Sequence, residues 1–171
     1  MLENLKEEIC LANQQLPSSG LVKLTWGNVS GIDKDKGIFG IKPSGIDYND
    51  LKPSDIVLVD MEGQKVEGNL NPSSDTKTHL ELYKAWPEIG GITHTHSLSA
   101  TTLAQTGKEL PCFGTTHADH FYGTVPVCRA LNQSELTDDY EKNTGVIIVK
   151  HFLENDIDPI KIPAVLQLHH A

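Results

Sequence analysis

Leu2, Leu5, Ile9, Ala12 and Leu16 recur at helical spacing, which predicts an amphipathic helix over residues 2–16, stopped by Pro17-Ser18-Ser19-Gly20. From residue 21 the period shortens. Two β-like runs, at 21–26 and 38–41, flank a turn over 31–37 and read as a hairpin. A further strand is predicted over 55–60, with Met61-Glu62-Gly63-Gln64 as its turn. Pro72-Ser73-Ser74-Asp75 starts a helix over 76–86, which Pro87 ends. Residues 92–96 read as a buried strand, followed by a helix over 97–106. A helix around 134–143, a strand over 146–150 and a closing apolar strand over 164–168 complete the pattern. Strands and helices are mixed and the early strands run as hairpins. That combination predicts an α/β fold in one layered domain, a mainly antiparallel sheet covered by helices.

Composition narrows the partners. The 171 residues are 38% hydrophobic and carry a formal net charge of −9. No basic cluster is available to displace phosphate counterions, so a nucleic-acid partner is excluded. A few local donors still suffice for a small anionic substrate. The longest strongly apolar run, Val146-Ile147-Ile148-Val149, is far too short to span a bilayer, and Glu3, Lys6, Glu7 and Glu8 leave no room for a signal-peptide core. Cys10, Cys112 and Cys128 form no C-x-x-C pair and read as reduced thiols of a cytoplasmic protein. The sequence stops just after Leu168-His169-His170, without a closing helix or polar tail, and reads as truncated at the C-terminus.

The candidate chemistry starts at Thr93-His94-Thr95-His96. In a strand, His94 and His96 project to one side and the threonines to the other. Two imidazoles so placed suit a metal ion, and equally a buried pair satisfied by hydrogen bonds. Asp75 offers a hard oxygen ligand, and only one of His169 and His170 can face a common site. A set of three histidines and one carboxylate would suit zinc with room for a substrate oxygen. His79, one turn beyond Asp75, reads as a surface histidine rather than a supporting partner. Gly27-Asn28, Lys42-Pro43-Ser44-Gly45 and Ser73-Ser74 combine small residues with donors, and each reads as a turn or as an anion contact, Ser73 or Ser74 also as a helix N-cap.

Taken together, Leu24-Thr25-Trp26-Gly27-Asn28-Val29-Ser30, Ile41-Lys42-Pro43-Ser44-Gly45, Pro72-Ser73-Ser74-Asp75-Thr76, Gly91-Ile92-Thr93-His94-Thr95-His96-Ser97 and Gly114-Thr115-Thr116-His117-Ala118-Asp119 resemble the class II aldolase/epimerase family in order and across nearly the whole chain. The resemblance implies a three-layer α/β/α fold with a largely antiparallel central sheet. It matches Asp75, His94, His96 and His170 to zinc ligands, one ion per subunit. It matches Gly27, Asn28, Ser44, Gly45, Ser73 and Ser74, with Lys42 beside them, to contacts with a sugar-phosphate substrate, and Asp119 to a catalytic acid/base. It implies a C4 homotetramer with active sites between subunits.

Aldolases of the family carry Glu where this chain has Asp75, and the epimerase branch carries Asp. The shorter carboxylate stays on the metal and is less able to reach a substrate proton, which favours the epimerase branch. That branch works on pentose phosphates, as in arabinose or ascorbate catabolism, by cleaving and re-forming the C3–C4 bond. The family's second acid/base is a tyrosine beyond residue 171. Tyr48, Tyr83, Tyr122 and Tyr140 lie outside that motif and take no such role. A ketose-1-phosphate aldolase, and a truncated form that keeps the metal site without full activity, are the alternatives.

Overall fold

The computed structural model describes residues 2–170; the expectation about the end of the chain at Ala171 lies outside them. Two compact units divide at His96/Ser97. In the first, helix α1 (Glu3–Gln15) is followed by strands β1 (Asn28–Asp33), β2 (Ile38–Ile41), β3 (Val57–Asp60) and β4 (Lys65–Glu67), helix α2 (Thr76–Ala85) and strand β5 (Gly91–His94). The five strands form one sheet in the order β4-β3-β2-β1-β5, and every neighbouring pair is antiparallel.

Alternation along the strands sorts the two faces of this sheet. Phe39, Ile41, Val57 and Val59 face α2 and pack with its Leu80 and Tyr83. Gly31 and Gly40, paired across β1 and β2, turn the other way, toward Ile9 of α1. A Cβ on Gly40 would lie 2.6 Å from Ile9 Cδ1, so the missing side chain is what lets α1 approach. Ile9 and Cys10 close that face with Leu51 and Ile56. Helix, antiparallel sheet and helix thus make the three layers expected.

The second unit holds α3 (Leu98–Thr106), α4 (Thr115–Ala118), β6 (Val127–Cys128), α5 (Gln133–Thr137), α6 (Tyr140–Glu154) and β7 (Leu166–Gln167). Strands β6 and β7 pair in parallel, and Ala104, Val125 and Leu166 centre its core.

Three expectations need correction. Residues 21–26 form no strand: Lys23 and Trp26 close a tight turn, Leu24 has φ 50°, and the extended chain begins only after Gly27. Residues 146–150 are helical, within α6. Thr144, Gly145, Ile147, Ile148 and Phe152 are its buried positions, one helical face at three- and four-residue steps that outweighs the β-branched run. Residues 92–96 are not a buried strand. β5 lies at the sheet edge, pairs among the described residues only with β1 and ends at His94, so His96 sits beyond it.

Candidate metal centre

The site in the first unit is built where β1 starts. Gly27 has φ +105°, and a Cβ there would fall 2.7 Å from the His94 carbonyl oxygen and 2.8 Å from Val22 Cγ1. Only glycine lets the chain pass this close to the end of β5. The flanking backbone is held from two sides. Tyr48 Oη donates to the Gly27 carbonyl at 2.7 Å, and the buried Asn13 amide accepts from Val29 N–H at 2.8 Å while donating to the Val29 carbonyl at 2.9 Å. Asn28, paired across strands with His94, is therefore fixed in backbone and direction.

Asp75 caps α2 without using its side chain as a cap. Its Oδ2 instead accepts from Asn28 Nδ2 at 2.6 Å and pairs with His94 Nδ1 at 2.9 Å. Ser73 Oγ accepts from the Asp75 backbone N–H at 3.3 Å and from Asn28 Nδ2 at 3.1 Å. Burial alone would push the Asp75 carboxyl up. The hydrogen bond and charge of His94, then His79 and the Asn28 amide, outweigh it and hold the group well below the usual carboxylate range. Asp75 is thus ionised, and His94 Nδ1–H is the donor. The His96 ring lies 4.9 Å from that of His94. Burial, with His94 adding to it, lowers the His96 pKa and favours the neutral imidazole that binds metals.

This donor set fits a divalent ion. Nitrogen and oxygen atoms bound to one tetrahedral ion at about 2.0–2.1 Å lie roughly 3.3 Å apart. Once the ion displaces the Nδ1 proton of His94, the Asp75–His94 pair, 2.9 Å apart, needs to open by only a few tenths of an ångström to share it. Next to it, Asn28 Oδ1 is buried and, among the described residues, has no hydrogen-bond partner. Asn28 is only 3% exposed, and an acceptor left so costs stability unless a bound donor meets it.

The three small-residue segments converge in this unit. Pro43 and Pro72 bridge, Ser44 N–H donates to the Asn71 carbonyl at 3.1 Å, and Ser73 N–H donates to the Lys42 carbonyl at 3.1 Å. That stitch sets Ser44-Gly45 beside Ser73-Ser74, with Ser44, Gly45 and Ser74 exposed. Asn28 joins them through Ser73. Lys42 is 2% exposed. Its ammonium donates to the Pro43 carbonyl at 3.4 Å and lies 4.8 Å from the Tyr48 ring centre, and burial lowers its pKa.

Two predicted site residues belong to the second unit. His170 is half-buried, stacks on Tyr140 and shares a hydrogen bond between its Nδ1 and the Tyr140 hydroxyl, while His169 points to solvent. Asp119 is exposed at the C-terminal end of α4, its N–H donating to the Thr115 carbonyl at 2.8 Å.

The surface reading of His79 is overturned: it is 1% exposed, with Nδ1 2.7 Å from Ser30 Oγ. Its spacing from Asp75 was the available signal, since residues four apart on a helix share a face. Trp26, to which the residue pattern gave no role of its own, is 56% exposed with its ring 6.1 Å from His96.

Residues 7–170 match the family described as Class II Aldolase and Adducin N-terminal domain. A solved L-fuculose 1-phosphate aldolase is 31% identical, covers 98% of this chain and 72% of its own, and superposes with a TM-score of 0.79. The L-fuculose-1-phosphate aldolase from Thermus thermophilus shares 23% identity over 99% of this chain and 78% of its own, with a TM-score of 0.74. A putative aldolase/epimerase/decarboxylase from Klebsiella pneumoniae, YgbL, shares 22% over 100% and 78%, with a TM-score of 0.75. The last two attest the fold alone. The family match over nearly the whole chain and the 31% identical relative place this protein in the class II aldolase family.

Proposed function

We propose that this chain is a divalent-metal enzyme that breaks and re-forms a carbon–carbon bond of a ketose phosphate, and specifically an L-ribulose-5-phosphate 4-epimerase giving D-xylulose 5-phosphate. The observation that carries this reading is Asp75: an ionised carboxylate held at once by Asn28 and His94. A carboxylate so engaged serves as a ligand and is poorly placed to leave as a mobile base. In this reading Asp75, His94, His96 and His170 hold one zinc ion per subunit. When bound, the ion supplies Lewis-acid stabilisation of the negative charge that develops beside the ketose carbonyl, worth several kcal/mol.

The chain's own residues do the rest. C4 of the substrate is not acidic, so inversion there needs the C3–C4 bond to break. The C4 hydroxyl loses its proton, the C3–C4 electron pair stays on the ketose fragment as an enediolate, and glycolaldehyde phosphate is the other piece. Gly27, Asn28, Lys42, Ser44, Gly45, Ser73 and Ser74 bind the substrate, its phosphate above all, and keep that fragment from escaping while it turns its other face. Their binding energy then serves retention. Asn28 Oδ1 accepts from a substrate hydroxyl, which satisfies an otherwise orphaned acceptor. Re-addition returns the electron pair to C4, and Asp119 exchanges the proton at the C4 oxygen on one face. The single-domain reading is supported by the unbroken family match over residues 7–170. The C4 homotetramer with active sites between subunits and the cytoplasmic location rest on the resemblance and on composition.

A second reading, a ketose-1-phosphate aldolase, is favoured by the relative named L-fuculose 1-phosphate aldolase at 31% identity. One assay separates the two. The zinc-loaded chain is given L-ribulose 5-phosphate and, separately, L-fuculose 1-phosphate. The epimerase reading expects D-xylulose 5-phosphate from the first, abolished by chelator. Release of a triose phosphate and a free aldehyde from the second alone would replace it with the aldolase reading. Absence of turnover on both, with zinc retained, would leave a non-catalytic metal-binding form.

A further inference from the structure

Polar side chains face each other across β1 and α2 on matched repeats. Asn28 and Ser30 project to one face of β1, two residues apart, and Asp75, His79 and Tyr83 follow one another at four-residue steps along one side of α2. Two strand residues advance about 6.6 Å and four helical residues about 6 Å, so the rows stay in step. Asn28 meets Asp75 at 2.6 Å. One step on, Ser30 Oγ lies 2.7 Å from His79 Nδ1 and 2.8 Å from Tyr83 Oη.

These groups are shut away from water: Ser30 and His79 are each 1% exposed and Tyr83 is 3%. A hydroxyl has one proton and two lone pairs, so Ser30 can accept from one partner while donating to the other. Burial pushes the His79 pKa down to about 4, so the ring is neutral and able to accept at one nitrogen. The apolar contacts of α2, through Leu80 and Tyr83, are non-directional and tolerate small slides of the helix along the sheet. Hydrogen bonds of this length do not, because they weaken steeply with misalignment.

We infer that the Ser30–His79–Tyr83 cluster is a registration device, in which Ser30 and His79 are positioning residues that hold α2 along β1 so that Asp75 meets Asn28 and His94. The consequence for metal affinity rests on the proposed function; the geometric claim stands on the metal-free chain.

The test compares the full chain with His79→Leu, Ser30→Ala and the conservative His79→Asn, which keeps a hydrogen-bonding atom near the place of Nδ1. In metal-free protein, NMR follows solvent exchange of the Asn28 side-chain amide protons. His79→Leu and Ser30→Ala are expected to speed that exchange by at least about tenfold. Co²⁺ titration, read by visible absorption, is expected to give affinities weakened by about 10–100-fold, and His79→Asn recovers most of both losses. Asn28 exchange unchanged in both disruptive variants would overturn the inference. So would a lowered melting temperature with unchanged exchange and affinity, the mark of a merely structural role. If even the wild-type chain binds no Co²⁺, the metal reading fails while the Asn28 protons still decide this one. Should His79→Leu not fold, Ser30→Ala and Tyr83→Phe carry the comparison.

Discussion

Asn28 Nδ2 donates to Asp75 Oδ2 at 2.6 Å, joining the first residue of β1 to the residue that caps α2. The same amide nitrogen reaches Ser73 Oγ at 3.1 Å, so one side chain holds together the carboxylate proposed as a metal ligand and a serine proposed to bind substrate. Replacing it by alanine takes a charge-assisted bond from Asp75. Asn28→Ala is expected to keep zinc, judged by metal analysis, because His94 still holds Asp75. Turnover of L-ribulose 5-phosphate is expected to fall by about two orders of magnitude, the scale of losing about 3 kcal/mol of transition-state stabilisation.

The convergence of these residues was partly legible in the sequence. Asp75 and the His94/His96 pair could be singled out by ligand type and spacing, and the small-residue segments by their donors. The antiparallel sheet and the helices at 2–16, 76–86 and 97–106 followed from periodicity. What the sequence withheld was cross-element geometry. Nothing in its local pattern states that Asn28 lies opposite His94, that Pro43 bridges Pro72, or that Ser30 faces His79 and Tyr83. The misread strand at 146–150 has the complementary cause: four β-branched residues in a row resemble a strand until the buried positions on either side restore a helical period.

Gly27 should be intolerant of substitution. Gly27→Ala combines φ +105° with a Cβ 2.7 Å from the His94 carbonyl oxygen. A loss of at least about 2 kcal/mol is expected in urea denaturation of metal-free protein. Gly45→Ala is the control: φ is +76°, but a Cβ there meets open space, so only the smaller backbone penalty of about 1 kcal/mol applies.

Alkaline conditions should weaken the fold. Burial pushes the Cys128 thiol from 9.0 up to about 12 and the Tyr48 phenol from 10.0 up to about 12. Both folded-state values are raised, so the unfolded chain releases these protons first. The stability they contribute is fully present below pH 9 and disappears as pH rises toward 12. Denaturation midpoints measured from about pH 8 to about pH 11 should fall steadily, and less steeply in Cys128→Ala.

Thiol labelling at about pH 8 should distinguish the cysteines. Cys112 is exposed, whereas Cys10 and Cys128 are buried with raised pKa values. One equivalent of a chromogenic disulfide reagent should react quickly with folded protein, and the other two only after denaturation. Fast reaction of all three would contradict the packing around α1 and β6.

Metal content measures the central claim most directly. The chain, purified with zinc and dialysed free of excess, is analysed alongside Asp75→Ala, His94→Ala, His96→Ala and His170→Ala. The account predicts about one zinc per chain, with its affinity lowered by at least about tenfold in each variant. A chain that binds no zinc, or zinc retained unchanged when both His94 and His96 are replaced, would contradict it.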